Sequence, residues 1–443
     1  MPLIMYQKSV NANIPMTGAS QHRMLKSVLQ TVQQEQAELT AIRRHCHEYP
    51  ELSCQETQTL AYIQDKLTAC GIAHRYVENG GIIAWIDGNA AGRTLLLRAD
   101  IDALPIEEGE TNLSCTRVCR SHNPGVMHAC GHDGHIAMLL TAGKILQQWR
   151  SSWQGRIILM FEQGEEESGP LPYLLRFLEK ESGWHIDGCY ATHVRWDIPT
   201  GKISVCHEAP MAGGFGFEIK IKGHGGHGSR PDLAQSPIDC FHSFYSDLQA
   251  LRMRTVSPLN GLTVSIGSLH SGTTLNVIPD ELTFSGTSRF FSYDHAGKRF
   301  YEEFLHILKN ACDTYQCTYE IKHMLKPLFE VHNNPHCVAL AEQAITESLG
   351  QHTLYHCTPW MASESFAITT RLYPGVLTFT GIANPAKGCG GNHHTPEFDL
   401  DEDGLVYGAA ACVSYALTFL ADKTPINFTR PDEPFEELIQ HNI

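Results

Sequence analysis

The sequence has no lysine- or arginine-rich stripe, no internal repeat and no low-complexity tract. Nor does it hold a run of about 18 apolar residues, the length a bilayer span requires. With a net charge of −15, the missing basic stripe disfavours nucleic-acid phosphates as a partner. The other absences set aside solenoids, disordered scaffolds and a membrane partner. Residues 1–30 lack the basic start, apolar stretch and cleavage site of a secretory signal, so a cytoplasmic location is expected. A disulfide framework is missing as well. The fifteen cysteines are odd in number and irregularly spaced in a long chain, which makes reduced thiols the expectation.

What is present is a 443-residue chain with 42% hydrophobic and 18% charged residues, an ordinary globular mixture. That length exceeds the roughly 100–200 residues of one domain, so two compact units are expected. Apolar residues recur at helical spacing from Met24 to Ile42, and a second helix is predicted over 56–69, ended by Gly71. Short runs rich in branched residues at 81–86, 94–99, 156–161, 188–192 and 376–380 read as strands. Helical patterns at 134–149 and 172–179 lie between some of them. That alternation predicts an α/β unit, a mixed sheet with helices on both faces.

Between 211 and 327 the pattern changes to strand (215–221), helix (237–251), strand (262–269), strand (281–290), helix (301–314) and strand (317–323). This reads as a smaller α+β unit inserted into the larger one, bordered by hinge-like Gly213-Gly214 and Lys326-Pro327. The expected division is an extension over 1–21, a discontinuous larger domain over 22–210 and 328–425, the inserted unit over 211–327, and a tail over 426–443.

Histidine stands out with 25 copies, and it becomes informative where it clusters with Cys, Asp and Glu. His128-Ala129-Cys130-Gly131-His132-Asp133-Gly134-His135 precedes an apolar helix, whose N-terminus favours an ionised thiol beside an imidazole. Glu165-Glu166-Glu167 follows the strand 156–161, and His193 follows the strand 188–192. Both positions, like Arg98 and Asp100, fall at the carboxyl ends of strands, where open α/β sheets gather ligands. His393-His394 lies in Gly390-Gly391-Asn392-His393-His394-Thr395-Pro396. The inserted unit offers His224 and His227 in a glycine-rich loop, plus Asn276 and Arg289, which can bind a substrate carboxylate. Taken singly, each has an ordinary structural alternative: a solvated acidic turn, a core histidine, a tight hairpin or a surface arginine.

Six motifs in order make the chain recognisable. They are Arg43-Arg44-His45-Cys46-His47-Glu48-Tyr49-Pro50-Glu51-Leu52, Arg98-Ala99-Asp100-Ile101-Asp102-Ala103-Leu104-Pro105, the Cys130/His132 segment, the acidic turn, His193-Val194, and His394-Thr395-Pro396-Glu397-Phe398. Together they resemble the amidohydrolase branch of the aminoacylase/carboxypeptidase metallopeptidase family, which includes hippurate hydrolases and indole-acetyl-amino-acid hydrolases. The resemblance runs from Leu39 to Leu420.

It implies Cys130, His132, Glu166, His193 and His394 as ligands of two divalent ions, Zn²⁺ or Mn²⁺ with Co²⁺ a third candidate. It further implies Glu165 as general base, and His227 as a lid residue reaching the scissile carbonyl of its own or a neighbouring site. Asn276 and Arg289 would bind substrate, Asp100 and Asp133 would orient ligands, and the inserted unit would serve as lid and as the interface of a homodimer. The implied substrate is a small N-acyl amino acid or dipeptide-like molecule, cleaved to an acid and an amino acid. A dipeptidase or carboxypeptidase, and a silent metabolite-binding relative, are the alternatives. The chain departs from the family's pattern in two places. Glu162-Gln163-Gly164 stands where relatives carry Gln-Pro-Ala, with Glu167 in place of a glycine. Ser363-Glu364-Ser365-Phe366 stands for Ser-Glu-Asp-Phe.

Overall fold

The computed structural model describes residues 18–167 and 169–441. Its strands, in chain order, are β1 (Ala73–Val77), β2 (Gly81–Asp87), β3 (Thr94–Asp100), β4 (Arg156–Glu162), β5 (Gly188–Pro199) and β6 (Ile203–Val205). β7 (Gly213–Lys222), β8 (Gly226–His227), β9 (Leu262–Ser271), β10 (Val277–Ile278), β11 (Glu281–Phe290) and β12 (Thr318–Met324) follow, then β13 (Leu354–Tyr355) and β14 (Gly375–Ala383).

Eight strands form one sheet in the order β1-β2-β4-β3-β5-β14-β6-β13. The central neighbours β4, β3, β5 and β14 run parallel, while β1, β2 and β6 add antiparallel pairings. β3 is buried at every position, as a strand covered on both faces must be, and its sequence is accordingly apolar through Leu95, Leu96 and Leu97. One face carries the helices His132–Gln148, Pro335–Leu349 and Asp403–Ala421, packed in one core with the N-terminal helices. The other is covered by Leu171–Arg176, Phe366–Leu372 and the C-terminal residues Leu438 and Ile439. The mixed α/β architecture expected from the alternation is the one observed.

β12-β7-β11-β9 form a separate antiparallel sheet. The helices Pro237–Thr255 and Lys298–Thr314 cover one of its faces with a phenylalanine-rich core that includes Phe215, Phe244, Phe284 and Phe304. The chain passes into and out of this sheet side by side, since Gly214 and Leu328 exchange backbone hydrogen bonds at 3.1 and 2.8 Å.

One helix has no counterpart among the elements read from the sequence, and two expectations need correction. The helix Asp403–Ala421 is long and apolar enough for a membrane span by length and composition, yet 89% of its most apolar stretch is buried inside the fold. It is covered on all sides and therefore shows no polar face for a periodicity argument to find. The first helix begins at Gly18 rather than near Met24, and residues 1–17 of the expected extension lie outside the described residues. The stretch read as a C-terminal tail is docked. Leu438 and Ile439 are buried, His441 bonds to the Pro327 carbonyl, and Lys326 Nζ donates to Glu433 at 2.8 Å.

Candidate metal centre

The carboxyl ends of β4 and β3 lie side by side, with Asp100 in register with Glu162. Asp102, Glu165 and Glu166 follow as the chain leaves these strands. Cys130 and His132 enter from the N-terminus of the helix His132–Gln148. Gly131 between them has φ of 86°, and a Cβ there would sit 2.4 Å from Val194 Cγ2, so glycine lets this turn close against β5. His394 also adopts the left-handed region, at φ 61°, and its N–H donates to the Ala129 carbonyl at 3.0 Å. That bond ties the C-terminal loop to the Cys130 segment and holds a conformation uncommon outside glycine.

The five residues implied as ligands fall in one connected cluster. Cys130 Sγ lies 3.6 Å from His193 Nε2. Glu166 Oε1 lies 3.1 Å from His394 Nε2 and 3.9 Å from His132 Nε2. Cys130, His132 and Glu166 present donor atoms within 4.8 Å of one another, as do Asp100, His132, His135 and His193.

Hydrogen bonds at the far nitrogen orient two of the imidazoles. His132 Nδ1 donates to Asp102 Oδ1 at 3.1 Å, and His193 Nδ1 donates to the Val194 carbonyl at 2.7 Å. Both Nε2 lone pairs thereby face the cluster. His135 is different. Its Nε2 accepts the Val194 N–H at 2.9 Å and its Nδ1 bonds Asp100, so neither nitrogen is free for a cation and the ring acts as a brace.

The donor set fits divalent cations. Among the described residues, His132 Nε2 is buried without a hydrogen-bond partner, and buried Glu166 Oε1 makes no hydrogen bond and has only the His394 ion-pair approach at 3.1 Å and the more distant His132. Asp100, Asp102, Glu162 and Glu364 are buried and Glu165 and Glu166 half-buried, and Arg98 pairs with Asp100, Glu162 and Glu364. Orphaned donors and excess buried negative charge are what bound cations would satisfy. The protonation tendencies agree. Burial, helped by Glu166, pushes the Cys130 thiol well up. Burial, then the Glu364 and Glu166 carboxylates, raise the Glu165 carboxyl well above the usual range. Burial opposes charge on His132, but Asp100 and Cys130 hold its imidazole well above the usual value.

Around Glu165 runs a buried network that the sequence did not reveal. Arg98 donates from Nε to Glu162 Oε2 at 2.7 Å, from Nη1 to Asp100 Oδ2 at 2.6 Å and from Nη2 to Ser365 Oγ at 2.8 Å. The Ser365 N–H donates to Glu165 Oε1 at 2.8 Å. Trp360 packs against His193 and His393, with ring centroids 5.5 and 4.9 Å apart. His393 itself is buried with both ring nitrogens unpartnered among the described residues, and burial holds it neutral.

Of the two acids expected to orient ligands, Asp100 lies 3.6 Å from His132 Nε2. Asp133 instead pairs with Arg43 at 2.9 Å and His47 at 2.8 Å. Consecutive helical residues point about 100° apart, so the carboxylate beside His132 in sequence faces the helix Gln36–Glu48. Asp102 touches a ligand candidate twice: besides His132, its Oδ2 accepts the Glu166 N–H at 3.0 Å. The signal for it was its place in Asp100-Ile101-Asp102, two residues past the end of β3.

No hydrogen bond or ion pair joins His227, Asn276 or Arg289 to this cluster among the described residues. His227 is exposed on β8, where its Nδ1 accepts the Ser229 N–H at 3.1 Å; the proton therefore sits on Nε2, which makes that atom a donor. Asn276 is exposed, and its carbonyl accepts the Gly228 N–H at 2.9 Å. Arg289 is half-buried, has no acidic partner among the described residues, and lies across Gly214, where a Cβ would sit 2.8 Å from its Nη1. Burial lowers its affinity for a proton.

The family model for peptidase family M20/M25/M40 matches residues 96–418. The chain is similar to IAA-amino acid hydrolase ILR1-like 2 of Arabidopsis thaliana, at 32% identity over 87% of this chain and 86% of that protein. Among solved structures it is similar to a putative aminohydrolase from methicillin resistant Staphylococcus aureus, with a TM-score of 0.80, 28% identity and coverage of 90% of this chain and 100% of that one. The YXEP protein of Bacillus subtilis, a dinuclear metal binding peptidase from the M20 family, is similar with a TM-score of 0.73, 29% identity and coverage of 88% and 99%.

Proposed function

The chain belongs to peptidase family M20/M25/M40 and is a metal-dependent hydrolase of amide bonds, and we propose that its substrates are N-acyl amino acids, cleaved to a carboxylic acid and a free amino acid. The observation that carries this reading is the convergence of Cys130, His132, Glu166, His193 and His394 beside Glu165, with His132 Nε2 buried and without a hydrogen-bond partner among the described residues. These five residues would hold two divalent ions, for which Zn²⁺, Mn²⁺ and Co²⁺ all suit mixed thiolate, imidazole and carboxylate donors. When bound, such ions supply Lewis acidity to a water and to the scissile carbonyl.

The chain's own groups do the rest. Glu165, steadied at Oε1 by the Ser365 N–H, takes a proton from the attacking water and returns it to the departing amine nitrogen. His227, a donor at Nε2, stabilises the charge that develops on the carbonyl oxygen, and losing one such donor typically costs about 100–1000-fold in rate. Arg289 binds the free carboxylate of the amino-acid half, assisted by Asn276. Because these three lie on the inserted unit without contact to the cluster, they reach substrate by closure of that unit or from a second copy. A homodimer through the inserted unit, whose sheet ends in the outer strands β9 and β12, is our preferred arrangement for the latter. Fifteen unpaired cysteines support a reducing, cytoplasmic setting.

The test is hydrolysis of N-acetyl, N-benzoyl and indole-acetyl amino acids by metal-analysed protein, with Glu165→Gln as control. Turnover of at least one class, lost in the control at unchanged metal content, is expected. Preference for unacylated dipeptides would point to a dipeptidase instead.

A further inference from the structure

A pair of thiols outside the metal centre forms a site of its own. β13 runs parallel to β6 with Leu354 opposite Ile203 and Tyr355 opposite Ser204. Continued by two residues, that register sets Cys357 opposite Cys206, and the two sulfurs lie 3.6 Å apart. Two further groups converge on Cys357 Sγ: Ser204 Oγ at 3.1 Å and Arg195 Nη1 at 3.2 Å. The Arg195 guanidinium is buried, so water screens its charge little, and it is held in place by Asp197 at 2.8 Å and the Thr358 carbonyl at 2.7 Å. A fixed cation beside a sulfur disfavours a metal ion there and favours a thiolate. The hydrogen bond from the Cys206 thiol, then Ser204 and Arg195, hold Cys357 below the ordinary thiol range, against burial and the Asp197 carboxylate.

Access differs within the pair as a reaction would require. Cys357 is half-buried and approachable, while Cys206 is buried behind it. Another close thiol pair, Cys240 and Cys312 at 3.7 Å, is buried in the phenylalanine-rich core with no ion pair or hydrogen bond to a cation among the described residues. Cys54 is exposed as a residue, but partial burial of its sulfur, then the Glu56 and Glu167 carboxylates, raise its thiol.

We propose that Cys357 is a peroxide-reactive thiol and that Cys206 resolves its oxidation into a disulfide. The Cys357 thiolate attacks one oxygen of hydrogen peroxide, the O–O bond breaks, and hydroxide leaves to become water. The resulting sulfenic acid is attacked by the Cys206 sulfur, which forms the S–S bond and releases a second water. Two thiols lose two electrons in all, and one peroxide gains them. Closing 3.6 Å to a bond of about 2.05 Å moves the sulfurs together by about 1.5 Å. Cys357 opens the segment that carries Trp360 against His193 and Ser365 against Glu165, so that movement reaches the metal centre. In a reducing compartment the disulfide would be transient, as a sensing pair requires.

The experiment uses the metal-loaded full chain. With limiting iodoacetamide at neutral pH, peptide mass spectrometry is expected to find Cys357 labelled about tenfold faster than exposed Cys54. Peroxide is expected to give a Cys206–Cys357 cross-link and a fall in kcat, both reversed by dithiothreitol. Cys206→Ser should instead stop at a dimedone-trappable sulfenic acid on Cys357, and Cys357→Ser should keep its activity under the same dose. Labelling of Cys357 no faster than Cys54, or absence of the cross-link from oxidised wild type, overturns the proposal. So does equal peroxide loss in Cys357→Ser, which would place the sensitive thiol at Cys130. The labelling and cross-linking arms do not depend on which amide is cleaved.

Discussion

The Ser365 hydroxyl donates to Glu162 Oε1 at 2.7 Å, so the chain's two departures from its family's pattern touch each other. Where relatives carry an amide at the first position and an acid at the second, this chain carries the acid at the end of β4 and a hydroxyl opposite it. The negative charge near Arg98 has changed sides rather than disappeared. Ser365→Asp alone would crowd a new carboxylate against Glu162, Glu364 and Glu165 and should lower both stability and kcat. In a Glu162→Gln background the same change should be tolerated. A double-mutant cycle by denaturant unfolding should therefore give a coupling of about 1–3 kcal/mol. Additive effects would mean the two positions are independent.

Glu162 should also leave a mark on the pH dependence of stability. Burial pushes its carboxyl from 4.5 up to about 7, against the pull of Arg98 and Ser365. Between those values the unfolded chain has released a proton that the folded chain keeps, so the folded state binds more protons and stability falls as pH rises. At about 1.4 kcal/mol per pH unit the full loss is on the order of 3 kcal/mol. Thermal melts of metal-free protein across this range should show a downward slope that is shallower in Glu162→Gln, where Glu165 alone of the two remains; an identical slope in the variant would contradict the assignment.

Asp102 and Asp133 should separate cleanly. Asp102→Asn removes the acceptor that orients His132 and holds the Glu166 N–H, and should weaken metal binding about 10–100-fold in a competition titration. Asp133→Asn breaks a buried pair with Arg43 and His47 and should cost about 3–5 kcal/mol of stability with metal stoichiometry intact. The reverse pattern would exchange their roles.

Arg289→Ala should raise KM about tenfold or more for substrates with a free carboxylate, the worth of a charge-assisted contact, and leave their amides nearly unchanged. Equal effects on both would remove Arg289 from substrate binding.

Much of this molecule is legible in its residues. β11 spans the predicted 281–290, and β3 and β4 each extend one residue beyond their predicted ends, because these strands declare themselves by composition and by the turns that bound them. The helix Asp403–Ala421 was missed since burial on every side erases amphipathic periodicity. β13, two residues long, exists only through its pairing with β6. The metal-ligand candidates were legible as motifs, but their support was not. Arg98 meets Glu162 and Ser365 from 64 and 267 residues away, and no local pattern encodes such partners. Asp133 was misplaced for the opposite reason: adjacency in sequence to His132 does not survive the turn of a helix.

On the reading proposed above, Cys130, His132, Glu166, His193 and His394 would grip a pair of cations next to Glu165. Anomalous X-ray scattering at the zinc edge from zinc-loaded crystals tests it most directly. Two peaks are expected, each about 2.0–2.3 Å from donor atoms drawn from these five side chains. Peaks bound elsewhere, or none at full loading, would contradict it.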